Sequence, residues 1–166
     1  MESKDNKKKI IIGGIIVVLV GVIIALVLKL NNSNKQVVQV GSSNLTIATT
    51  EELQQAVNEV QDRGAYLPGY QDFAAVSSSY LVLRNPEEND DIYLAFKVMN
   101  GETGDVLMDT DLVKSGEELY WYPCETLEPG TYNIVIEENP YYQVKGSDNW
   151  TPLMGTSNSI TVEVRE

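Results

Sequence analysis

The feature that most restricts this chain is an unbroken run of apolar residues from Ile10 to Leu28. At about 1.5 Å per helical residue, the run nearly spans a hydrocarbon core of roughly 30 Å. A buried core helix is usually shorter and has a polar face, and a cleaved signal peptide ends at a small-residue cleavage site. Neither pattern occurs here. The sequence therefore predicts that residues 10–30 form an uncleaved transmembrane helix.

Charges on either side of the apolar run predict how it is oriented. Four lysines precede the run and two follow it: Lys4, Lys7, Lys8, Lys9, and then Lys29 and Lys35. Positive charge is retained on the cytoplasmic side of a membrane. We therefore expect a single-pass protein of the cell membrane, with residues 1–9 as a cytoplasmic tail and the remainder outside the cytoplasm.

Small residues within the apolar run provide a hypothesis for helix association. Gly21 and Ala25 are four positions apart, and Gly14 lies one heptad before Gly21. Small residues at this spacing let two membrane helices approach closely. Glycine is also common in membrane helices that do not associate, so both interpretations remain open.

The part of the chain after the apolar run is strongly acidic. Residues 31–166 contain 22 Asp and Glu against 7 Lys and Arg, which gives a net charge of −15. Such a surface repels phosphate backbones and anionic lipid headgroups, so nucleic acid is not an expected partner. The charge serves either solubility outside the cell or the binding of cations or a basic partner.

Two residue counts restrict the chemistry. The chain has no histidine, which excludes Ser-His-Asp and Cys-His catalysis and every histidine metal site. Its one cysteine, Cys124, cannot form an internal disulfide, and this favours a bacterial source over a eukaryotic secretory one. We therefore expect a protein that is not an enzyme.

Two short segments precede the main domain. Residues 31–48 are rich in Asn, Ser, Gln and Gly and are predicted to be a spacer, in which Val37 to Val40 could form a short strand. Thr49 and Glu52 fit a capping box, and apolar residues at helical spacing follow from Leu53. This pattern predicts an amphipathic helix over 49–64.

The rest of the chain, residues 66–166, shows the two-residue periodicity of β-strands. Apolar and polar side chains alternate from Ile92 to Val98, and turn residues such as Asn100-Gly101 separate the segments. Seven strands are predicted, near 72–77, 79–84, 91–99, 105–109, 117–122, 131–138 and 159–165. With no helices between them, the expected fold is an all-β, antiparallel, two-sheet sandwich.

One motif within this domain supports a family resemblance. The segment from Leu127 to Tyr132, Leu-Glu-Pro-Gly-Thr-Tyr, resembles the tyrosine corner of immunoglobulin-like and fibronectin-III-like domains. In those domains a tyrosine near the start of the sixth strand bonds back to backbone upstream. The resemblance implies that Tyr132 has this role in a bacterial immunoglobulin-like surface module. It implies a binding or spacing role and no chemistry.

Residues 138–158 join the last two predicted strands and are long for a hairpin loop. They place Tyr141, Tyr142 and Trp150 among small polar residues, a composition typical of recognition loops. The aromatic rings could bind a protein or the sugars of a cell wall. Alternatively, they fold back and cover the open end of the sandwich.

Acidic side chains supply a weaker candidate site. Asp105, Asp109 and Asp111 lie in a dense acidic stretch, and calcium takes six to eight oxygen ligands. EF-hand spacing is absent, so solvated loops are the competing interpretation. Apart from this calcium hypothesis, the sequence indicates no cofactor.

Together these patterns predict a membrane-anchored, extracytoplasmic immunoglobulin-like domain with a binding or assembly role at the cell envelope. Two alternatives remain: a structural subunit of a membrane complex assembled through its helices, and an acidic calcium-binding surface module. The expected partners are the membrane, through residues 10–30, and a protein or cell-wall ligand.

Overall fold

The computed structural model describes residues 36–60 and 64–166. The predicted transmembrane helix and the association residues Gly14, Gly21 and Ala25 lie outside these ranges. None of the helices within them has the length and apolar character needed to cross a membrane.

The described residues are predominantly β-strand. The strands, in chain order, are β1 (Val37–Val40), β2 (Ser43–Thr46), β3 (Phe73–Ala75), β4 (Leu81–Arg84), β5 (Ile92–Asn100), β6 (Val106–Asp109), β7 (Glu118–Trp121), β8 (Gly130–Gln143), β9 (Trp150–Pro152) and β10 (Thr156–Val164). The helices are α1 (Thr50–Val60) and α2 (Pro123–Thr126), with a 3₁₀ turn at Glu87–Asn89.

The strands form one large sheet and two strand pairs. The large sheet has the order β3-β10-β8-β5-β6, with β9 paired to β8, while β4 pairs with β7 and β1 with β2. All pairings are antiparallel except that of β3 with β10. The sheet is therefore mixed, which corrects the fully antiparallel prediction. The β-rich class is confirmed, and each of the seven predicted strands has a counterpart within two or three residues of its predicted start.

The main core lies between the large sheet and the β4–β7 pair. Alternate residues of β5 and β8 point inward, including Leu94, Phe96, Ile134 and Ile136, all fully buried. Leu83 and Trp121 from the smaller pair belong to the same cluster. Apolar burial of this kind contributes about 25 cal/mol per Å². The two-residue alternation in the sequence thus corresponds to the inner and outer faces of the strands.

Within residues 31–48, which the sequence assigns to a spacer, the short strand from Val37 to Val40 is present as β1 and pairs with β2 in a hairpin. Val40 and Leu45 are buried in a small cluster with Ala95. The Ser42 backbone and hydroxyl groups also donate hydrogen bonds to the Asp111 carboxylate at 2.8–3.0 Å. Because most residues of the segment are polar, its composition did not predict the burial of Val40 and Leu45.

Helix α1 begins where the capping box predicts. The Thr49 backbone N–H and hydroxyl donate hydrogen bonds to Glu52 Oε2 at 2.8 and 2.9 Å. Ala56 is buried in a cluster with Ile92 and Tyr142, and Leu53 packs against that cluster. Leu53 and Ala56 of α1 therefore pack on the β-domain.

Candidate functional site

The predicted recognition loop is mostly strand. Strand β8 continues through Pro140 to Gln143, and β9 returns antiparallel to it, with Tyr142 opposite Thr151. Only the short turn from Val144 to Asn149 separates the two strands. The 138–158 segment is therefore the far end of a long hairpin, which holds the aromatic residues in a defined register.

The three candidate aromatic residues occupy different environments. Tyr142 is fully buried against Ile92 and Val144. Tyr141 is half-buried and packs on the cluster that contains Val40. Because a ligand in solution cannot reach the ring of Tyr142, its surroundings match the alternative in which these rings cover the end of the domain.

Trp150 lies at the surface margin of the same hairpin and contacts a residue of β5. The centroids of the Trp150 and Tyr93 rings are 5.0 Å apart, and the rings are nearly perpendicular at 88°. Edge-to-face pairs of this kind hold both rings in place. Trp150 is half-buried, so part of its surface stays accessible.

An open cleft of about 580 Å³ lies beside Tyr93, the ring partner of Trp150. Tyr93 forms part of its wall together with Asp90, Asp91 and the hairpin turn from Gln143 to Asp148. Three aspartates and one lysine, Lys145, line the cleft, so its net charge is negative. This composition favours a cationic or polar ligand group over an anionic one.

The hairpin turn is held against α1 by a single carboxylate. Glu52 accepts hydrogen bonds from Ser147 Oγ at 3.1 Å and from Asn149 Nδ2 at 2.9 Å. The hydrogen bonds from Thr49 and Asn149 lower the pKa of Glu52 to about 2. The first turn of α1 thereby positions one wall of the cleft.

The three weak calcium candidates do not converge on one point. Asp105 accepts a hydrogen bond from Thr103 at 2.6 Å, Asp109 lies 4.0 Å from Lys97, and Asp111 accepts from Ser42. Within residues 36–60 and 64–166, no group of three or more carboxylate or thiol side chains could hold a metal ion. We therefore do not carry the calcium hypothesis into the proposal.

A second aromatic group, not predicted from sequence, lies on the outer face of the β4–β7 pair. Tyr80, Tyr120 and Tyr122 are 50%, 46% and 36% exposed. The Tyr80 ring is 5.1 Å from Tyr120 and 5.7 Å from Tyr122, centroid to centroid. We call these three residues the tyrosine cluster. The alternation of Tyr120 and Tyr122 with Trp121 in the sequence could have predicted that these two tyrosines share one face of a strand. The presence of Tyr80 beside them depends on the pairing of β4 with β7 and could not be predicted in this way.

One buried acid stands out among the inward-facing residues of β8. Glu138 is fully buried opposite Phe96, and its Oε1 accepts a hydrogen bond from Asn158 Nδ2 at 2.5 Å. Burial raises the pKa of Glu138 to about 7. Burial and the nearby Glu138 also raise the pKa of the Tyr70 hydroxyl. This acid is enclosed in the domain and takes no part in either aromatic surface.

Comparison of the chain with known protein families, curated proteins and solved structures found no match.

Proposed function

We propose that the chain is a membrane-anchored recognition module, in which an immunoglobulin-like sandwich is displayed outside the cytoplasm. The observation that carries the proposal is the strand arrangement. Strands β5, β8 and β10 adjoin in one sheet, with β6 at its edge, and β4 pairs with β7 across the core. Immunoglobulin-like sandwiches likewise place their third, sixth and seventh strands in one sheet and their second and fifth in the other.

Tyr132 adds support from side-chain geometry. Its hydroxyl donates a hydrogen bond to the Glu128 carbonyl oxygen at 3.0 Å, four residues upstream. Tyr132 is the third residue of β8, the sixth strand of the sandwich when counted from β3. This hydrogen bond has the form that a tyrosine corner makes, and it supports the proposed family of folds.

The location outside the cytoplasm rests on the sequence. Residues 10–30 have the length and composition of a membrane anchor, and the lysines before them favour a cytoplasmic amino terminus. Residues 64–166 carry 18 acidic and 5 basic side chains. Such an acidic domain has little attraction for the anionic membrane surface.

Protease treatment of intact cells tests this location. We expect that the full chain, tagged at its carboxyl terminus and expressed in a bacterium with one membrane, loses the tag when protease is added outside. A cytoplasmic protein in the same cells serves as the control and stays intact. Survival of the tag on intact cells, with loss only after lysis, would overturn the proposed topology.

The proposed recognition surface comprises Trp150, its ring partner Tyr93 and the cleft that Tyr93 lines. We expect Trp150→Ser to reduce capture of the partner from solubilised membranes about tenfold or more, because exposed aromatic anchors dominate interface energies. Met154, which is 92% exposed, provides the matched control variant Met154→Ser. Capture is measured by quantitative pulldown with the full chain in detergent.

The same pulldown distinguishes the rival function. If Trp150→Ser leaves capture unchanged while Gly21→Leu abolishes it, the anchor helix assembles the complex and the cleft does not recognise the partner. In that case the recognition proposal is wrong and the structural-subunit alternative replaces it.

A further inference from the structure

We infer that the tyrosine cluster is a second binding surface, which receives lysine or arginine side chains from a basic segment of a partner protein. The surface is distinct from the cleft at Tyr93 and Trp150, since it lies on the outer face of the β4–β7 pair. It does not depend on the membrane topology or on the recognition proposal above.

The register of β4 and β7 builds this surface. Val82 lies opposite Tyr120, and Arg84 lies opposite Glu118. Leu83 and Trp121 point into the core, so the alternate positions Tyr120 and Val82 point outward. Tyr80 precedes β4 on the same outward-facing positions and contacts Tyr120 of β7 and Tyr122 just after β7. Packing of the inner face therefore holds three aromatic rings on the outer face.

The geometry of the rings favours a compact cation over a flat ligand. Tyr80 and Tyr120 are nearly perpendicular at 89°, and Tyr80 and Tyr122 are inclined by 56°. Sugar rings and other planar groups stack best on a single flat platform, which this arrangement does not offer. Rings set at angles can contact an ammonium or guanidinium group from more than one side, as in aromatic cages.

Charge at the cluster points to the same class of partner. The negative faces of aromatic rings attract cations. The Tyr120 hydroxyl donates a hydrogen bond to Glu118 Oε2 at 3.0 Å, so a carboxylate adjoins the rings. This carboxylate raises the pKa of Tyr120. Because Arg84 lies opposite Glu118, it is the strongly negative net charge of the domain that complements a basic segment.

The exposed area also requires an explanation. Three large aromatic side chains form a patch at the surface, because Tyr80 contacts both of the others, whereas scattered exposed apolar residues are ordinary. Tyr66 is such an isolated case, 58% exposed, and no ring contact involves it among the described residues. It therefore serves as a matched control for the cluster.

The test measures binding of labelled peptides to the full chain in non-ionic detergent, by fluorescence anisotropy. The probes are a peptide of alternating lysine and glycine, its arginine counterpart, and a glutamate–glycine peptide as the negative control. We expect both basic peptides to bind, and the acidic peptide not to bind. Absence of binding by both basic peptides would overturn the inference.

Variants of the tyrosines distinguish binding of a cation by the ring faces from hydrophobic contact and from general electrostatic attraction. A cation over one exposed ring is worth about a 2- to 5-fold change in affinity. We therefore expect Tyr80→Leu and Tyr122→Leu each to weaken binding by about that factor. We expect Tyr80→Phe and Tyr122→Phe, which keep the ring, to weaken it by less than about 2-fold. Tyr66→Leu should leave the affinity unchanged.

Two results contradict the inference. Equal affinity of the Leu and Phe variants would show that the rings act only as apolar surface. If the affinity falls with salt but is the same in wild type and in all tyrosine variants, the overall negative charge of the domain attracts the peptides. Because the Phe variants change only one hydroxyl each, they remain informative even if a Leu variant fails to fold.

Discussion

Replacing Glu138 with Gln is expected to remove most of a loss of stability, about 2–3 kcal/mol, that the folded chain undergoes between pH 5 and pH 8. The cause is the cost of ionising a carboxyl group enclosed by apolar residues of the core. The pKa of Glu138 is raised from its ordinary 4.5 to about 7, and each pKa unit corresponds to about 1.4 kcal/mol. Gln keeps the size of the side chain and an oxygen that can accept the hydrogen bond from Asn158.

The sign of the pH dependence follows from proton binding. Between pH 4.5 and 7 the unfolded chain has lost the proton at position 138, while the folded chain retains it. The folded state binds more protons, so stability falls as the pH rises through this range. Above pH 7 both states are ionised and the full cost of the buried charge remains.

Denaturation by urea at pH 5 and pH 8 measures this effect. Wild type should unfold at a lower urea concentration at pH 8, and Glu138→Gln should lose most of that difference. Glu137→Gln is the matched control, because Glu137 is the adjacent residue of β8, is half-buried and points to the opposite face. An equal loss of stability between pH 5 and pH 8 in wild type and Glu138→Gln would sink the prediction.

Glu52 gives the folding stability the opposite pH dependence at low pH, because its contribution is lost as the pH falls. Its pKa is lowered to about 2, chiefly by hydrogen bonds from Thr49 and Asn149. This contribution is present above pH 4.5 and is lost as the pH falls towards 2. Because the group is accessible to solvent, the effect is smaller than that of Glu138.

Replacing Asn85 with Leu is expected to destabilise the domain by about 3 kcal/mol or more. Asn85 is buried, and its Nδ2 donates hydrogen bonds to the carbonyl oxygens of Ile92 and Val113 at 2.8 and 2.9 Å. Its Oδ1 accepts a hydrogen bond from Asn89 Nδ2 at 2.5 Å. Leu removes all three bonds, and each buried polar group left without a partner costs about 1–3 kcal/mol.

The structural consequence extends beyond Asn85. Asn89 is itself buried and forms two hydrogen bonds with the backbone of Tyr66, at 2.7 and 2.9 Å. Through Asn89, Asn85 therefore connects Ile92 of β5 and Val113 after β6 to the backbone at Tyr66. Loss of Asn85 should loosen these segments together, which hydrogen exchange of the Tyr66 and Ile92 amides would detect.

An exposed asparagine provides the control for this variant. Asn133 lies on the outer face of β8 and accepts one hydrogen bond from Ser159 at 2.6 Å. We expect Asn133→Leu to change the free energy of unfolding by less than about 1 kcal/mol in the same urea titration. A similarly small change for Asn85→Leu would mean that the buried amide is dispensable.

Much of the secondary structure was predictable from the sequence because it depends on local order. The capping box of Thr49 and Glu52 begins α1, and alternation from Ile92 to Val98 matches the buried face of β5. The end of β8 was not predictable in the same way. Glu137 to Pro140 has the composition of a turn, yet Pro140 is buried in the strand and its carbonyl accepts a hydrogen bond from Leu153.

The candidate sites were likewise predictable only where they depend on local sequence. The sequence proposed Tyr141, Tyr142 and Trp150 together, but whether an aromatic side chain is buried or exposed depends on which face of a paired strand carries it. Tyr142 faces the core, whereas Trp150 meets Tyr93 at the margin of a cleft. The tyrosine cluster required the pairing of β4 with β7, which joins residues about 40 positions apart.

By itself, the sequence determined the β-rich class, the start of α1, the approximate positions of seven strands and the hydrogen-bonding role of Tyr132. These features depend on side-chain periodicity and on contacts between residues a few positions apart. Both can be read directly from the amino-acid sequence. The parallel pairing of β3 with β10, the burial of Glu138 and the meeting of Tyr80 with Tyr120 and Tyr122 were decided by the tertiary structure. Each depends on strand register between distant segments, and register follows from how the whole core packs.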